Sequence, residues 1–390
     1  MKTALKSSPE YREFKKLELW KAIPSLPLLE SALHHYRESS LLFDHLYDQT
    51  KNVYSKLPKR MNGDEAFVHP LNIVVYLQQA GIKDEVTLCA GLIHDLPEEK
   101  VDVFKEENKI KGFTTGLNQL DQYEQQVFTQ FRRELLSFSR KKMINPEIIK
   151  QLLLVTKLLT RNKKDFYYKY IHKIFRCSDV LAKERALEVK LADRIHNSIC
   201  IECFSEEERI FQCFKNLFIL NNTKRYLLQK KGKKLFAEPL TPLEILFKKC
   251  GKATYEALLN LGHLCIKKGM GDVKVMIQLA FKKFALEQSG LWKVTKLDEK
   301  EVHLVRLFQD IIRKYDYRLY HKWKKLEVHK EKQRHYVEKF FANYHYPPEV
   351  IQAIIDYKDA YGLKELIACL LYIPDYVLGG FEAENLFKSE

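Results

Sequence analysis

Apolar residues recur along this chain at helical spacing, and no stretch sustains the alternation of apolar and polar residues that specifies a strand. Helix formers dominate, and only 14 Gly and 12 Pro punctuate 390 residues. An all-α chain follows. Its length allows two or three domains and a substantial buried core.

Within that helical background four polar residues stand out: His69, His94, Asp95 and Asp193. Ala90-Gly91-Leu92-Ile93 runs into His94-Asp95 as an apolar helical stretch that would bury the dyad at its end. His69-Pro70 opens a second apolar run, Leu71 to Leu77, with Pro70 suited to a first helical turn. Asp193 follows Val189-Lys190-Leu191-Ala192 on a third. Two imidazoles and two carboxylates form the ligand set of one octahedral hard or borderline divalent metal, and they suit Mn²⁺ better than a soft, thiolate-bound ion. Buried unpaired carboxylates are costly, so two together ask for a cation. The alternative on spacing alone is a set of core histidines satisfied by backbone, with Asp193 paired to Arg194 or Arg185.

Three blocks carry a resemblance. Lys59 to Pro70, Thr87 to Glu99 and Val189 to Asn197 resemble, in that order, the HD-domain hydrolase half of the RelA/SpoT alarmone enzymes, and Val155-Thr156-Lys157-Leu158 resembles a short segment before the last motif. The similarity covers roughly residues 40 to 215. It implies an HD-type helical bundle in which His69, His94, Asp95 and Asp193 ligate a single Mn²⁺. It places Glu98 and Glu99 where the family has an acidic pair that handles the catalytic water. It also puts Arg60 against the nucleotide and Asn197 at the ribose and base side. The implied reaction removes the 3′-pyrophosphate of (p)ppGpp to give GDP or GTP and pyrophosphate. Adjacent residues on a helix diverge by about 100°, so only one of the acidic pair faces the metal squarely. Glu98 is the expected proton-transfer residue, with Glu99 behind it or facing substrate.

The chain also departs from the family pattern. Pro97 and Glu99 replace an aliphatic residue and Asp, Met61 a frequent Lys, Ala66 an aromatic before His-Pro, and Ser198-Ile199-Cys200 the Met-Arg-Thr after the Asn. The metal set is matched in full and the nucleotide shell in part. Two other functions therefore stay open: an HD phosphohydrolase of another nucleotide or phosphorylated small molecule, and a non-catalytic helical interaction protein.

The expected organisation is an N-terminal helical extension over 1–38, the HD-type domain over 39–235 and a basic helical C-terminal region over 236–390. The interval from Asp95 to Asp193 is long for the family. Its extra residues, about 102–146, read as an inserted helical element or lid, with a plain surface insertion as the alternative. Neither strand patterning nor a synthetase motif is visible after the hydrolase half, so the chain reads as hydrolase-only. Residues Lys314 to Lys339 interleave Tyr315, Tyr317, Tyr320, Trp323 and Tyr336 with Lys and Arg.

With 66 Lys and Arg against 51 Asp and Glu, the net charge is +15. Such a balance suits nucleic acid, an anionic membrane surface or steering of a polyanionic, guanine-type nucleotide, and equally a lysine-rich solvated surface. Eight dispersed Cys show no disulfide framework, and Cys200-Ile201-Glu202-Cys203 has no second pair to complete a zinc site. Reduced core cysteines and a cytoplasmic location are expected. No apolar signal segment and no run long enough to span a membrane is present. Export by a dedicated bacterial apparatus, whose signals need no apolar segment, stays open.

Overall fold

A computed structural model describes residues 12, 16–110, 115–163, 165, 167–268, 367–368 and 370–377. Among them are eleven α-helices, two 3₁₀ turns and no strand, as the patterning requires. The helices are α1 Leu26–Ser39, α2 Leu41–Tyr54, α3 Val68–Gln79, α4 Glu85–Ile93, α5 Leu96–Glu107 and α6 Thr115–Lys142. They continue as α7 Pro146–Leu159, α8 Tyr167–Arg176, α9 Val180–Ile199, α10 Glu206–Lys231 and α11 Pro242–Lys268. No described helix is long and apolar enough to cross a membrane.

Two compact units divide the chain. The first comprises residues 20–203 and 236–250. Its centre is formed by α3, α4 and α9. Every residue of α3 from Val68 to Leu77 and of α4 from Val86 to Ile93 is buried. A helix that is apolar on all sides must be surrounded. Accordingly α4 packs on α2, α3, α7 and α9, and α9 packs on α3, α4, α7 and α8.

Local chemistry fixes where these helices begin. Asp84 caps α4 by accepting from the Thr87 amide at 2.9 Å, and Asp179 caps α9 by accepting from Ala182 at 2.9 Å. Such caps supply an acceptor for an otherwise unpaired first-turn amide. Arg185 of α9 grips both oxygens of Asp84, at 2.8 and 3.0 Å, and so ties α9 to the start of α4. Arg185 is thereby spent at the far end of α4 from His94. Gly91 sets the spacing of α3 and α4: a Cβ there would lie 2.6 Å from Leu77 Cδ1. The absent side chain lets the helix carrying His94 close onto the helix carrying His69.

The expected boundaries at 38/39 and 235/236 differ from this division. Residues 20–38 belong with the site-bearing unit, because α1 buries Leu29 and Leu33 while packing on α2 and α3. Residues 236–250 join it too, while 204–235 fall in the second unit. There α10 and the C-terminal part of α11 are joined by a 3.0 Å bond from Asn216 Nδ2 to Thr254 Oγ1. Lys224 is fully buried and donates to the carbonyls of Leu370 and Ile373. An ammonium on the last carbonyls of a helix satisfies acceptors that lack an intrahelical donor. The aromatic and basic stretch 314–339 lies outside the described residues.

The insertion at 102–146 is dominated by α6, which packs on α5 and α7. Val101 of α5 joins Leu120 and Val127 of α6 in a small apolar cluster bordered by Phe104, Ile110 and Tyr123. The Phe104 and Tyr123 rings stack with centroids 3.8 Å apart. The insertion therefore braces the helix whose first turn carries Glu98 and Glu99.

Candidate metal centre

His94 and Asp95 occupy the short break between α4 and α5. Asp95 is the N-cap residue of α5, yet its carboxylate makes no capping hydrogen bond. That carboxylate turns towards the histidines instead: Asp95 Oδ2 lies 2.9 Å from His94 Nε2 and 3.7 Å from His69 Nε2. The latter is too long for a hydrogen bond. Ligand atoms of His69, His94 and Asp95 all lie within 4.8 Å of one another.

The histidine tautomers follow from their outer partners. His94 Nδ1 is 2.9 Å from the Gly91 carbonyl, which can only accept, so Nδ1 carries the proton. In the neutral ring Nε2 is then a lone pair, buried, with no hydrogen-bond partner among the described residues. The 2.9 Å approach to Asp95 lacks the alignment of a hydrogen bond. It brings Nε2 against a carboxylate oxygen, a contact made favourable by a proton on Nε2 or by a cation between the two. Burial alone would lower the His94 pKa, but the charge of Asp95 outweighs it and raises the group above its ordinary value.

His69, in the first turn of α3, is backed by a residue the sequence reading passed over. Its Nδ1 is 2.9 Å from His196 Nδ1, and His196 Nε2 is 3.9 Å from Cys200 Sγ. If His69 Nδ1 donates, His196 accepts, and the Nε2–H of His196 points to the sulfur. His69 Nε2 is then left bare towards Asp95 and Asp193. Outer partners of this type hold metal-binding imidazoles in one tautomer and orientation. Burial pulls the His69 pKa down to about 4, which keeps the ring neutral.

Asp193 behaves differently. Its Oδ1 is 3.6 Å from His69 Nε2, but it stands outside the three-residue group. Its Oδ2 receives the Lys190 ammonium at 2.9 Å and the Arg194 guanidinium at 2.9 and 3.2 Å. Asn197 Nδ2 donates to Oδ1 at 2.6 Å. Burial would raise this carboxyl, but Arg194 and Lys190 hold it far below the ordinary carboxylate range. The sequence alternative of an Asp193–Arg194 pair is thus present, together with the approach to His69. Lys190 and Arg194 sit at i−3 and i+1 of Asp193, a spacing visible in the sequence. That they converge on one oxygen depends on their burial in the packed α9.

Of the remaining expected residues, Glu98 and Glu99 lie in the first turn of α5. Glu98 Oε1 accepts from the Arg161 amide at 2.7 Å, just after α7. Burial, then Asp95, raises both carboxyls, Glu99 to about 7. Arg60 lies in the turn closed by its own amide on Asp64 O. Asn197 is buried, with its amide nitrogen committed to Asp193.

Sequence reasoning missed Tyr54. Its hydroxyl is buried with no hydrogen-bond partner among the described residues. Burial, then the charges of Asp95, Glu99, Glu98 and Asp193, push the phenol well above its ordinary pKa, so it stays a donor. It comes from α2, one helix before the first motif, and no local pattern marks it.

The donor set fits a divalent ion. With metal–ligand bonds of about 2.1 Å, neighbouring ligand atoms of an octahedral ion are about 3 Å apart and opposite ones about 4.2 Å. The separations of 2.9 and 3.7 Å among His69, His94 and Asp95 fall within that interval, while Asp193 stands outside this group. No protein-family model matches the chain, and no curated protein and no solved structure is significantly similar to it.

Proposed function

We propose that this chain is a divalent-metal-dependent phosphohydrolase of the HD type, with Mn²⁺ as the ion. Its proposed substrate is a guanosine nucleotide carrying a 3′-pyrophosphate. The observation that carries the metal reading is the buried His94 Nε2, bare because Nδ1 is spent on Gly91 O and aimed at a carboxylate 2.9 Å away. The nucleotide rests on the resemblance of the three sequence blocks.

In this reading His69, His94 and Asp95 hold the ion, and Asp193 completes the set through Oδ1. A divalent ion there supplies charge neutralisation at the attacked phosphorus and makes water a usable nucleophile near neutral pH. Glu98 takes the proton of the attacking water. The Arg161 amide fixes one of its oxygens, so the other is left for the transfer. The bond between phosphorus and O3′ breaks, O3′ is protonated, and pyrophosphate leaves. Lys190 and Arg194 keep Asp193 ionised. Arg60 supplies a guanidinium fork for the phosphates, a geometry that a Lys would not reproduce. With one Nδ2 hydrogen of Asn197 on Asp193, its Oδ1 and its second amide hydrogen remain for a ribose.

The test is pyrophosphate release from ppGpp by the full chain with Mn²⁺ and with EDTA, beside GTP, dNTPs and NADPH. Pyrophosphate from ppGpp that disappears with EDTA is the expected result. Untouched ppGpp alongside metal-dependent release from another nucleotide sinks the substrate and keeps the chemistry. No turnover and no bound Mn²⁺ sinks both and leaves a helical interaction protein. Glu98→Gln should retain Mn²⁺ and lose turnover by ~10²–10⁴-fold, the usual contribution of positioned proton transfer. Rates near wild type in that variant would move the role to Glu99.

A further inference from the structure

The carboxylate assigned to proton transfer is held by a loop outside its own helix. Glu98 Oε1 accepts from the Arg161 amide at 2.7 Å, and Arg161 lies between α7 and α8. Two residues further on, α6 and α5 both grip the same loop. The Lys163 amide donates to Glu124 Oε1 of α6 at 2.6 Å, and the Lys163 ammonium lies 2.7 Å from Asp102 Oδ1 of α5. Glu98 and Asp102 are one helical turn apart, so they meet the loop from one face of α5. At the loop's entry the Tyr170 hydroxyl donates to the Leu159 carbonyl. Glu124 is the unusual member of this group. An acid on a surface helix can turn both oxygens to water, but Glu124 Oε2 is buried with no hydrogen-bond partner among the described residues. Burying such an acceptor is costly, and the bond that accompanies it is the one to the loop amide.

We propose that Glu124 is a positioning residue for Glu98 and acts through the loop 160–163. By accepting from the Lys163 amide, Glu124 fixes the loop. The Arg161 amide of that loop in turn fixes Glu98 Oε1 and leaves the second oxygen for the proton. A single residue separates the two amides, so a shift at Lys163 is carried to Arg161. A displacement of about 1 Å at a reacting group can cost about 100-fold in rate. The inference rests on the reading of Glu98 as the proton-transfer residue. It gives α6 a part in the chemistry in addition to its packing on α5.

The experiment measures kcat and KM for ppGpp on the full chain with Mn²⁺, together with amide hydrogen exchange resolved at single residues. Glu124→Leu removes the acceptor and should lower kcat by about 10- to 100-fold with KM little changed. Its Arg161 and Lys163 amides should both exchange at least about tenfold faster than in wild type. Glu124→Gln keeps a carbonyl oxygen at the same reach and should restore kcat to within about twofold of wild type. In the wild-type chain, with no substitution, both amides should exchange more slowly than that of the exposed Asn162 between them. A folded Glu124→Leu chain with full kcat overturns the assignment, as does a wild-type Lys163 amide that exchanges as fast as Asn162. If wild type turns over no nucleotide, the proposed reaction fails and the amides decide alone. Exchange at Arg161 that ignores Glu124→Leu then overturns the relay, and exchange that rises at both amides retains it.

Discussion

Asp95 and Asp193 approach the same nitrogen, His69 Nε2, at 3.7 and 3.6 Å, but from two differently built regions. At the α4–α5 junction Asp95 declines its capping role and sets its carboxylate 2.9 Å from the buried His94 Nε2. On α9 Asp193 is surrounded by Lys190, Arg194 and Asn197, which occupy both of its oxygens. The α9 carboxylate already has two positive charges beside it, both from its own helix. Asp95 is thus turned to the histidines by a break between two helices, whereas Asp193 is held ionised and in place within one.

Removing the partner of two buried cations should produce the largest effect. Asp193→Ala takes the carboxylate away from the buried Lys190 and Arg194, and breaking a buried pair of this kind costs about 3–5 kcal/mol. Urea unfolding would measure it, with Mn²⁺ binding lost alongside. Adding Lys190→Met to Asp193→Ala should recover part of the loss. A chain as stable as wild type after Asp193→Ala would erase the contrast between the two regions.

His94→Ala should do the reverse. It should weaken Mn²⁺ binding by about 100-fold or more, as expected when a ligand is lost rather than an outer partner. Its stability cost should stay below that of Asp193→Ala, since the Asp95 carboxylate it leaves behind is a quarter exposed and can take water. Calorimetric Mn²⁺ titration and unfolding of the same sample read both quantities. Unchanged affinity would remove the junction from the metal site.

Gly91→Val tests whether spacing rather than chemistry makes the junction. A β-branched side chain, where even a Cβ would meet Leu77 Cδ1 at 2.6 Å, should cost about 1–3 kcal/mol in overpacking and weaken Mn²⁺ binding. Full affinity in a destabilised chain would show that the separation of α3 and α4 is not what positions the histidines.

The smallest effect lies at α6. Burial raises the Glu124 carboxyl to about 7, although its Oε1 accepts from the Lys163 amide at 2.6 Å. The folded state thus binds more protons than the unfolded chain between about 4.5 and 7, and stability falls as pH rises through that window. Glu124→Gln keeps the acceptor and removes the charge. It should match wild type near pH 4.5 and exceed it at pH 8, by no more than about 1 kcal/mol because the site is partly solvated. Thermal melts at the two pH values decide it, and equal melts at pH 8 would show that Glu124 is not held away from water.

The all-helical architecture, the burial of α3 and α4 and the break at His94-Asp95 were legible in the sequence, because each is written in neighbouring residues. Apolar spacing sets which faces are covered, and Pro97 with the acidic pair marks the start of α5. The convergence of His69, His94 and Asp95 was legible as well. Other features required distances between residues far apart in the chain. Nothing local announces that Arg185 is taken by Asp84, that His196 backs His69, or that Tyr54 brings its hydroxyl to the carboxylates. The same holds for Asn197, whose amide turns to Asp193. The sequence determined which groups could hold a charge or a proton. Tertiary packing decided which of them lost their water, and in a buried site that loss is what makes the partners of each polar atom decisive.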